Sequence, residues 1–159
     1  MAKDGVVGAL RHVIDVELVG DFDAVTWEAE PRVEIALRQL PQMTAEVVFY
    51  AAREVLRNAA RYGRGDQPGP VLQLRVSVML DGMEQDGTKR RSFRTLNARI
   101  IIEDDGAGLH SEARAESHGG GSGQGLALHS TMMAVIGGSL SVDSRAGAGT
   151  RVTLSLPTL

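Results

Sequence analysis

Residues 71–80, VLQLRVSVML, alternate apolar and polar side chains. Strand-like segments return at 95–105 (TLNARIIIEDD), 139–144 (SLSVDS) and 150–157 (TRVTLSLP), the last two joined by the turn RAGAG. A two-residue period puts the apolar set of each strand on one face, and that face has to be covered. TAEVVFYAAREVLRNAARYG supplies one cover: a helix over about 45–62, with Thr44 as N-cap and Gly63 as its stop. A second helix is expected over about 125–136, ended by Gly137 and Gly138, with Met132, Met133, Val135 and Ile136 read as core. Residues 6–18 have a helical apolar rhythm, as a short helix or the tail of a longer one. Within 21–44, Val33, Ile35 and Leu37 fall on one side and Arg32, Glu34 and Arg38 on the other, which reads as a strand stopped by Pro41. Residues 81–92 read as a turn or hairpin loop. Runs of strands with two or three helices give an α+β class: one mixed sheet with helices layered on one face.

Totals narrow the function classes. At 159 residues, 43% of them hydrophobic, the chain makes one domain that buries roughly 70% of its unfolded surface. A formal net charge of −3 gives no basic surplus for nucleic acid. With no cysteine, disulfides and thiolate metal sites are excluded, which fits a reducing compartment. No apolar run approaches the roughly 18 residues of a membrane span, and the N-terminus does not read as a signal peptide. The expected location is the cytoplasm, including the cytoplasmic part of a membrane-bound sensor.

Three segments carry chemistry. On the 45–62 helix, Val48, Ala52, Val55, Leu56 and Ala59 make an apolar stripe, while Glu54 and Asn58, at i and i+4, project well away from it, with Arg61 one turn on. Alone, that strip reads as solvent-facing. Read functionally, it offers an amide oxygen for a magnesium that keeps waters and phosphate oxygens as its other ligands, a carboxylate to orient or deprotonate a nucleophile, and a guanidinium for phosphate. Asp104, Gly106 and Gly108 end an apolar strand. They make either a tight turn capped by Asp, with glycines at positive φ, or an acid at the edge of a cleft whose costs are met by donors such as the amine of adenine. Gly121, Gly123 and Gly125 open a helix, where bare amides and the positive dipole end attract anions. The polar stretch before them reads as a lid, mobile over about 110–122. The spacing is neither a P-loop nor a Rossmann fingerprint.

In order, E-x-x-x-N-A-x-R-Y on a helix, D-x-G-x-G after a strand, G-x-G-x-G-L opening a helix, and GGSLSVDS…GAGTRVTLSLP at the end resemble the Bergerat-fold ATPases. That superfamily includes sensor histidine kinases, DNA gyrase, heat-shock chaperones and mismatch-repair ATPases. The closing pattern and the Asn58–Tyr62 run look most like the catalytic ATP-binding domain of a two-component sensor histidine kinase, over about residues 30–157. The resemblance implies a two-layer α/β sandwich: a mixed, mostly antiparallel sheet under about three helices, with a flexible ATP lid. It implies a catalytic domain over 30–159 preceded by a helical or linker segment over 1–29. It also implies ATP and Mg2+ as cofactors. Glu54 matches the carboxylate that assists transfer and Asn58 the magnesium ligand. Arg61 and Tyr62 match phosphate-side contacts, and Asp104 the adenine-reading acid between Gly106 and Gly108. Gly121, Gly123, Gly125 and Leu126 match the phosphate-facing lid segment, and Thr150 a threonine near the base.

Two departures bear on function. None of His12, His110, His118 and His129 sits in an acceptor-like sequence, so the phosphate is expected to go to a histidine on a dimerisation domain absent from this chain, and on to a response regulator. Dimerisation is then expected only through parts absent here. The segment 81–95, with Lys89, Arg90, Arg91 and Arg94, is longer than the family's usual link; it reads as a solvated loop, or as a docking surface for an acidic partner. A stand-alone serine kinase of the anti-sigma type, with a sigma factor and an antagonist as partners, is the competing reading. A third is a non-catalytic nucleotide-binding module, against which the pairing of Glu54 with Asn58 weighs.

Overall fold

The computed structural model describes residues 5–65, 71–81, 97–108 and 122–156. Helix α1 (Gly5–His12) runs into a π-helical turn (Val13–Glu17). Val6, Val7, Leu10, Val13 and Ile14 recur at helical spacing and all are buried. Strand β1 (Ala24–Ala29), helix α2 (Pro31–Arg38) and the long helix α3 (Gln42–Tyr62) follow. Next come β2 (Gln73–Asp81), β3 (Asn97–Asp104), helix α4 (Ser122–Val135), β4 (Ser139–Arg145) and β5 (Gly149–Leu156).

The five strands make one sheet in the order β1-β2-β3-β5-β4. β1 pairs parallel with β2, and the other three pairings are antiparallel. A parallel pair needs a crossover, and here α2 and α3 supply it. Register puts Leu74, Val76 and Val78 of β2, Ala98, Ile100 and Ile102 of β3, and Val152, Leu154 and Leu156 of β5 on one face, all buried. The α3 stripe of Val48, Ala52, Val55, Leu56 and Ala59 belongs to the same core, with Met133 of α4. The opposite face is polar and carries an ion pair from Arg151 to Glu103 at 2.6 Å. Each buried apolar side chain contributes about 1.5–3 kcal/mol against at most about 1 kcal/mol for such an exposed pair, so the apolar face decides the fold.

The expected α+β class and mixed, mostly antiparallel sheet are what forms. Several local expectations are corrected. Residues 31–38 are helix, not strand. Pro31 stands in the first helical turn, where its missing N–H costs nothing. Val33 and Leu37, four apart, are buried, while Ile35 is 58% exposed. A three-residue alternation fits both periods, and burial chooses the helical one. The strand lies just before, at AVTWEA. Thr44 is not the N-cap: α3 starts at Gln42, directly after Pro41, and no side chain caps it. In α4, Met133 is fully buried, but Met132 is 36% and Val135 79% exposed, because only one face of the helix packs against α3 and the sheet. His110, His118 and the basic cluster at 89–94 lie outside the described residues.

Candidate functional site

Helix α3 organises the site. Glu54, Asn58, Arg61 and Tyr62 fall at i, i+4, i+7 and i+8 and so share one face. A cavity of about 380 Å3 opens along that face, lined by these four side chains with Leu18, Asp21, Arg57 and Ala60. That is within the usual range for small-molecule sites. The Arg61 guanidinium lies 5.2 Å from the centroid of the Tyr62 ring, a cation–π contact that presents the charge along the cavity. Glu54 and Asn58 do not project into open solvent as the sequence suggested. Both are half-buried, and Asn58 Nδ2 is fully buried with no hydrogen-bond partner. A buried donor left unpaired costs about 1–3 kcal/mol, so this amide is built for a group that arrives.

The cavity has a wall that sequence reasoning missed. Leu18 and Asp21 come from the turn between the π-helical stretch and β1. Arg64, just past α3, holds this turn: its Nη1 lies 2.9 Å from Asp23 Oδ2 and its Nη2 donates to the Asp21 carbonyl at 3.1 Å. Asp23 Oδ2 also accepts from the Leu72 amide at 2.8 Å, and that bond, with the Arg64 contact, lowers its pKa below the ordinary 3.8. Arg53 ties α3 to Glu17 with Nε and Nη2 at 3.0 and 2.6 Å. Arg57 and Ala60 are the other unforeseen lining residues; the place of Arg57 at i−4 from Arg61 was the signal available.

At the opposite flank, α4 begins at Ser122, earlier than expected, so Gly123 and Gly125 lie inside its first turns rather than before them. A Cβ on Gly125 would stand 2.8 Å from Glu54 Oε1. Glycine there lets the start of α4 approach the Glu54 carboxylate, which brings the first-turn amides and Glu54 to one place. Leu126 is half-buried against the core. Gly121 lies outside the described residues.

The C-terminal end of α3 meets the turn after β3. Ala107 N donates to the Gly63 carbonyl at 2.7 Å, and Gly147 N donates to the Ala107 carbonyl at 2.7 Å. Three loops are thereby latched beside Tyr62. A Cβ on Gly106 would strike the Gly63 carbonyl, and one on Gly108, which has φ +72°, would strike the Arg145 carbonyl. Asp104 continues the inward series of Ile100 and Ile102, so a carboxyl stands where the apolar face ends. Its Oδ1 accepts from Gly106 N at 3.0 Å, and the Thr150 amide also donates to it. Burial is nevertheless the larger effect and raises its pKa above 3.8. Thr150 is its direct neighbour on β5. Among the described residues, Asp104, Gly106, Gly108 and Thr150 are not on the wall of the α3 cavity. Gly106 and Ala107, in the turn after β3, pack on Gly63 just past the C-terminal end of α3.

A sheet covered by helices on one face, with a polar small-molecule-sized cavity along one helix and an acid just past that helix's end, can accommodate a nucleotide. Residues 44–159 match the family described as Histidine kinase-, DNA gyrase B-, and HSP90-like ATPase, and the chain belongs to that family. It is therefore an ATP-binding domain. No curated relative matches. Among solved structures, the chain is similar to the histidine kinase domain of the blue-light activated histidine kinase EL346 from Erythrobacter litoralis, with a TM-score of 0.61 and 23% identity over 96% of this chain and 60% of that one. It is also similar to a longer structure of the same blue-light activated kinase, with a TM-score of 0.60 and 24% identity over 94% of this chain and 39% of that one. The chain thus spans less than two thirds of either. No helix among the described residues is long and apolar enough to cross a membrane.

The residues fit a nucleotide-borne metal. Among the described residues, no three His, Asp or Glu side chains cluster to hold a bare ion. Asn58 offers one oxygen, and its buried, unpaired Nδ2 suits a phosphate oxygen. That donor set matches a magnesium ion that keeps phosphate oxygens and water as its other ligands.

Proposed function

We propose that this chain is the catalytic ATP-binding part of a protein histidine kinase of a two-component system. It transfers the γ-phosphoryl group of ATP to a histidine on a dimerisation domain outside these 159 residues, from which a response regulator takes it. What supports this reading above all is the single line on α3, where Glu54, Asn58, Arg61 and Tyr62 line one cavity. Asp104, with Gly106, Gly108 and Thr150 around it, accepts the amine of adenine at one end. Asn58 holds Mg2+ at the other, and the ion, when bound, neutralises charge on the phosphates. Arg61, Arg57 and the first-turn amides at Gly123 and Gly125 bind phosphate oxygens. Glu54 orients the incoming imidazole and takes up its proton. Most of the catalysis is positioning, so the domain without its acceptor turns ATP over slowly. We place this chemistry in the cytoplasm.

Two variants test the division of roles. In the intact protein, Glu54→Ala is expected to keep Mg·ATP binding and lower phosphoryl transfer by about 100-fold or more. Asn58→Ala is expected to remove the magnesium dependence of binding. Lost binding in the first, or unchanged magnesium dependence in the second, overturns the assignment. An acid-labile phosphate on the acceptor identifies histidine, and an acid-stable one moves the acceptor to a hydroxyl.

A further inference from the structure

Four arginines, Arg53, Arg57, Arg61 and Arg64, follow one another along one side of α3 and its C-terminal end. The outer two are tied to the segment that leads into β1. Arg53 binds Glu17, and Arg64 holds both Asp23 and the Asp21 carbonyl. Between these anchors the Asp21 amide donates to the Leu18 carbonyl at 3.1 Å, closing a turn in which Gly20 has φ +83°. The turn is therefore pinned on both sides to the helix whose inner two arginines, Arg57 and Arg61, line the cavity. Among the described residues, neither of these has an ion-pair partner, and no side-chain hydrogen bond engages the Asp21 carboxylate. The charged groups on the described lining are Arg57 and Arg61 against Glu54 and Asp21, so they cancel. Glu54 has a part in phosphoryl transfer as read above, and Asp21 has none. A wall made only to attract polyphosphate would leave the arginines without an opposing acid. A cavity of this volume is on the order of 10 Å across, about one Debye length at 0.1 M salt, so each lining charge acts on whatever occupies it.

We propose that Asp21 is a specificity-determining residue of the nucleotide site: its charge, kept on the cavity wall by the pinned turn, offsets one arginine and disfavours ATP that arrives without its metal. Metal-free ATP carries about four negative charges and Mg·ATP about two, so repulsion from one fixed carboxylate falls about twice as heavily on the first. The inference rests on reading the chain as an ATP-binding domain, and it adds to that reading a residue from outside α3 and a preference for one form of the ligand.

The 159-residue chain and its Asp21→Asn and Asp21→Glu variants are titrated with Mg·ATP and, in excess chelator, with metal-free ATP. Each titration is run at low and at high salt, and thermal unfolding is recorded for each protein. At low salt Asp21→Asn is expected to tighten metal-free ATP by about tenfold and Mg·ATP by about threefold, so the preference for the metal-loaded form falls by about threefold. Both gains shrink at high salt, which a purely structural effect of the side chain would not do. Asp21→Glu, which keeps the charge, keeps the parent's preference. Metal-free ATP that the asparagine variant binds no better than the parent overturns the proposal. So does an equal gain for both forms, or a gain that salt leaves untouched. Weaker binding of Mg·ATP by the asparagine variant places Asp21 on the metal side instead and also overturns it. Should Asp21→Asn not fold, Asp21→Ala gives the same comparison. A parent that binds neither form overturns the ATP-binding reading itself. A parent that binds Mg·ATP, with an asparagine variant that behaves like it, leaves that reading in place and removes only the role of Asp21.

Discussion

Asp104→Asn is expected to abolish measurable ATP binding while leaving a folded protein. In the proposed base pocket the carboxylate is the strongest acceptor, and a hydrogen bond to a charged group is worth about 1.5–3 kcal/mol, or about 10–150-fold in affinity. The asparagine also turns a donor toward the adenine amine, which adds to the loss. Titration calorimetry with Mg·ATP reads the effect, and an unchanged affinity removes Asp104 from the base pocket. The pH dependence has a definite sign. Burial raises the folded-state pKa of Asp104 above 3.8. Below 3.8 the acid is neutral in both folded and unfolded chains, and its contribution to stability is complete. As pH rises through the raised value, the unfolded chain ionises more readily and stability is lost. The variant cannot ionise there. Its stability relative to the parent should therefore improve as the pH rises from below 3.8 through the raised value, as denaturant unfolding would show. ATP affinity of the parent runs the other way and falls on acidification, because the adenine amine prefers the ionised carboxylate.

Gly149→Ala is expected to be among the most destabilising single-methyl changes in the chain. Gly149 has φ +85°, and a Cβ there would strike the Asp104 carbonyl. The left-handed backbone costs about 1–2 kcal/mol for an L-residue, and forcing β3 and β5 apart costs about 1–3 kcal/mol more. A total of about 2–5 kcal/mol is a large share of the roughly 5–15 kcal/mol that holds a domain together. Gly147, two residues earlier in the same turn, is the control. It has φ +72° but nothing within 4 Å of its added Cβ, so Gly147→Ala carries the backbone cost alone. Equal melting temperatures for the two variants would show that contact with Asp104 contributes nothing.

Much of this was legible in the sequence, for physical reasons. β2, β3, β4, β5 and α3 are long enough for one period to dominate, and the α3 stripe is buried residue for residue. Glu54, Asn58, Arg61 and Tyr62 were found because a helix fixes the relation between side chains four apart. What failed was short or non-local. Val33, Ile35 and Leu37 satisfied both periods, and only the docking of α2 onto the core decided between them. Thr44 looked like a cap because nothing local announces that Pro41 can be followed at once by helix. Leu18 and Asp21 reach the cavity through a π-helical turn and an ion pair with Arg64, neither of which leaves a periodic trace. Glu54 is approached by Gly125 of α4, some seventy residues further along the chain.

The parallel pairing of β1 with β2 bears on the order in which the sheet assembles. β4 and β5 join through a short turn, so their pairing closes little chain. β1 reaches β2 only after α2 and α3 have been spanned, and closing so long a loop carries an entropic cost that the hairpin avoids. β1 is also an edge strand with most of its side chains exposed. Its pairing is therefore expected to form later than that of the β4–β5 hairpin, and Leu18 and Asp21 lie in the segment that leads into it. One wall of the cavity is consequently set by the segment leading into an edge strand closed by a long crossover, while Asp104 and Thr150 are held by the inner pair β3 and β5.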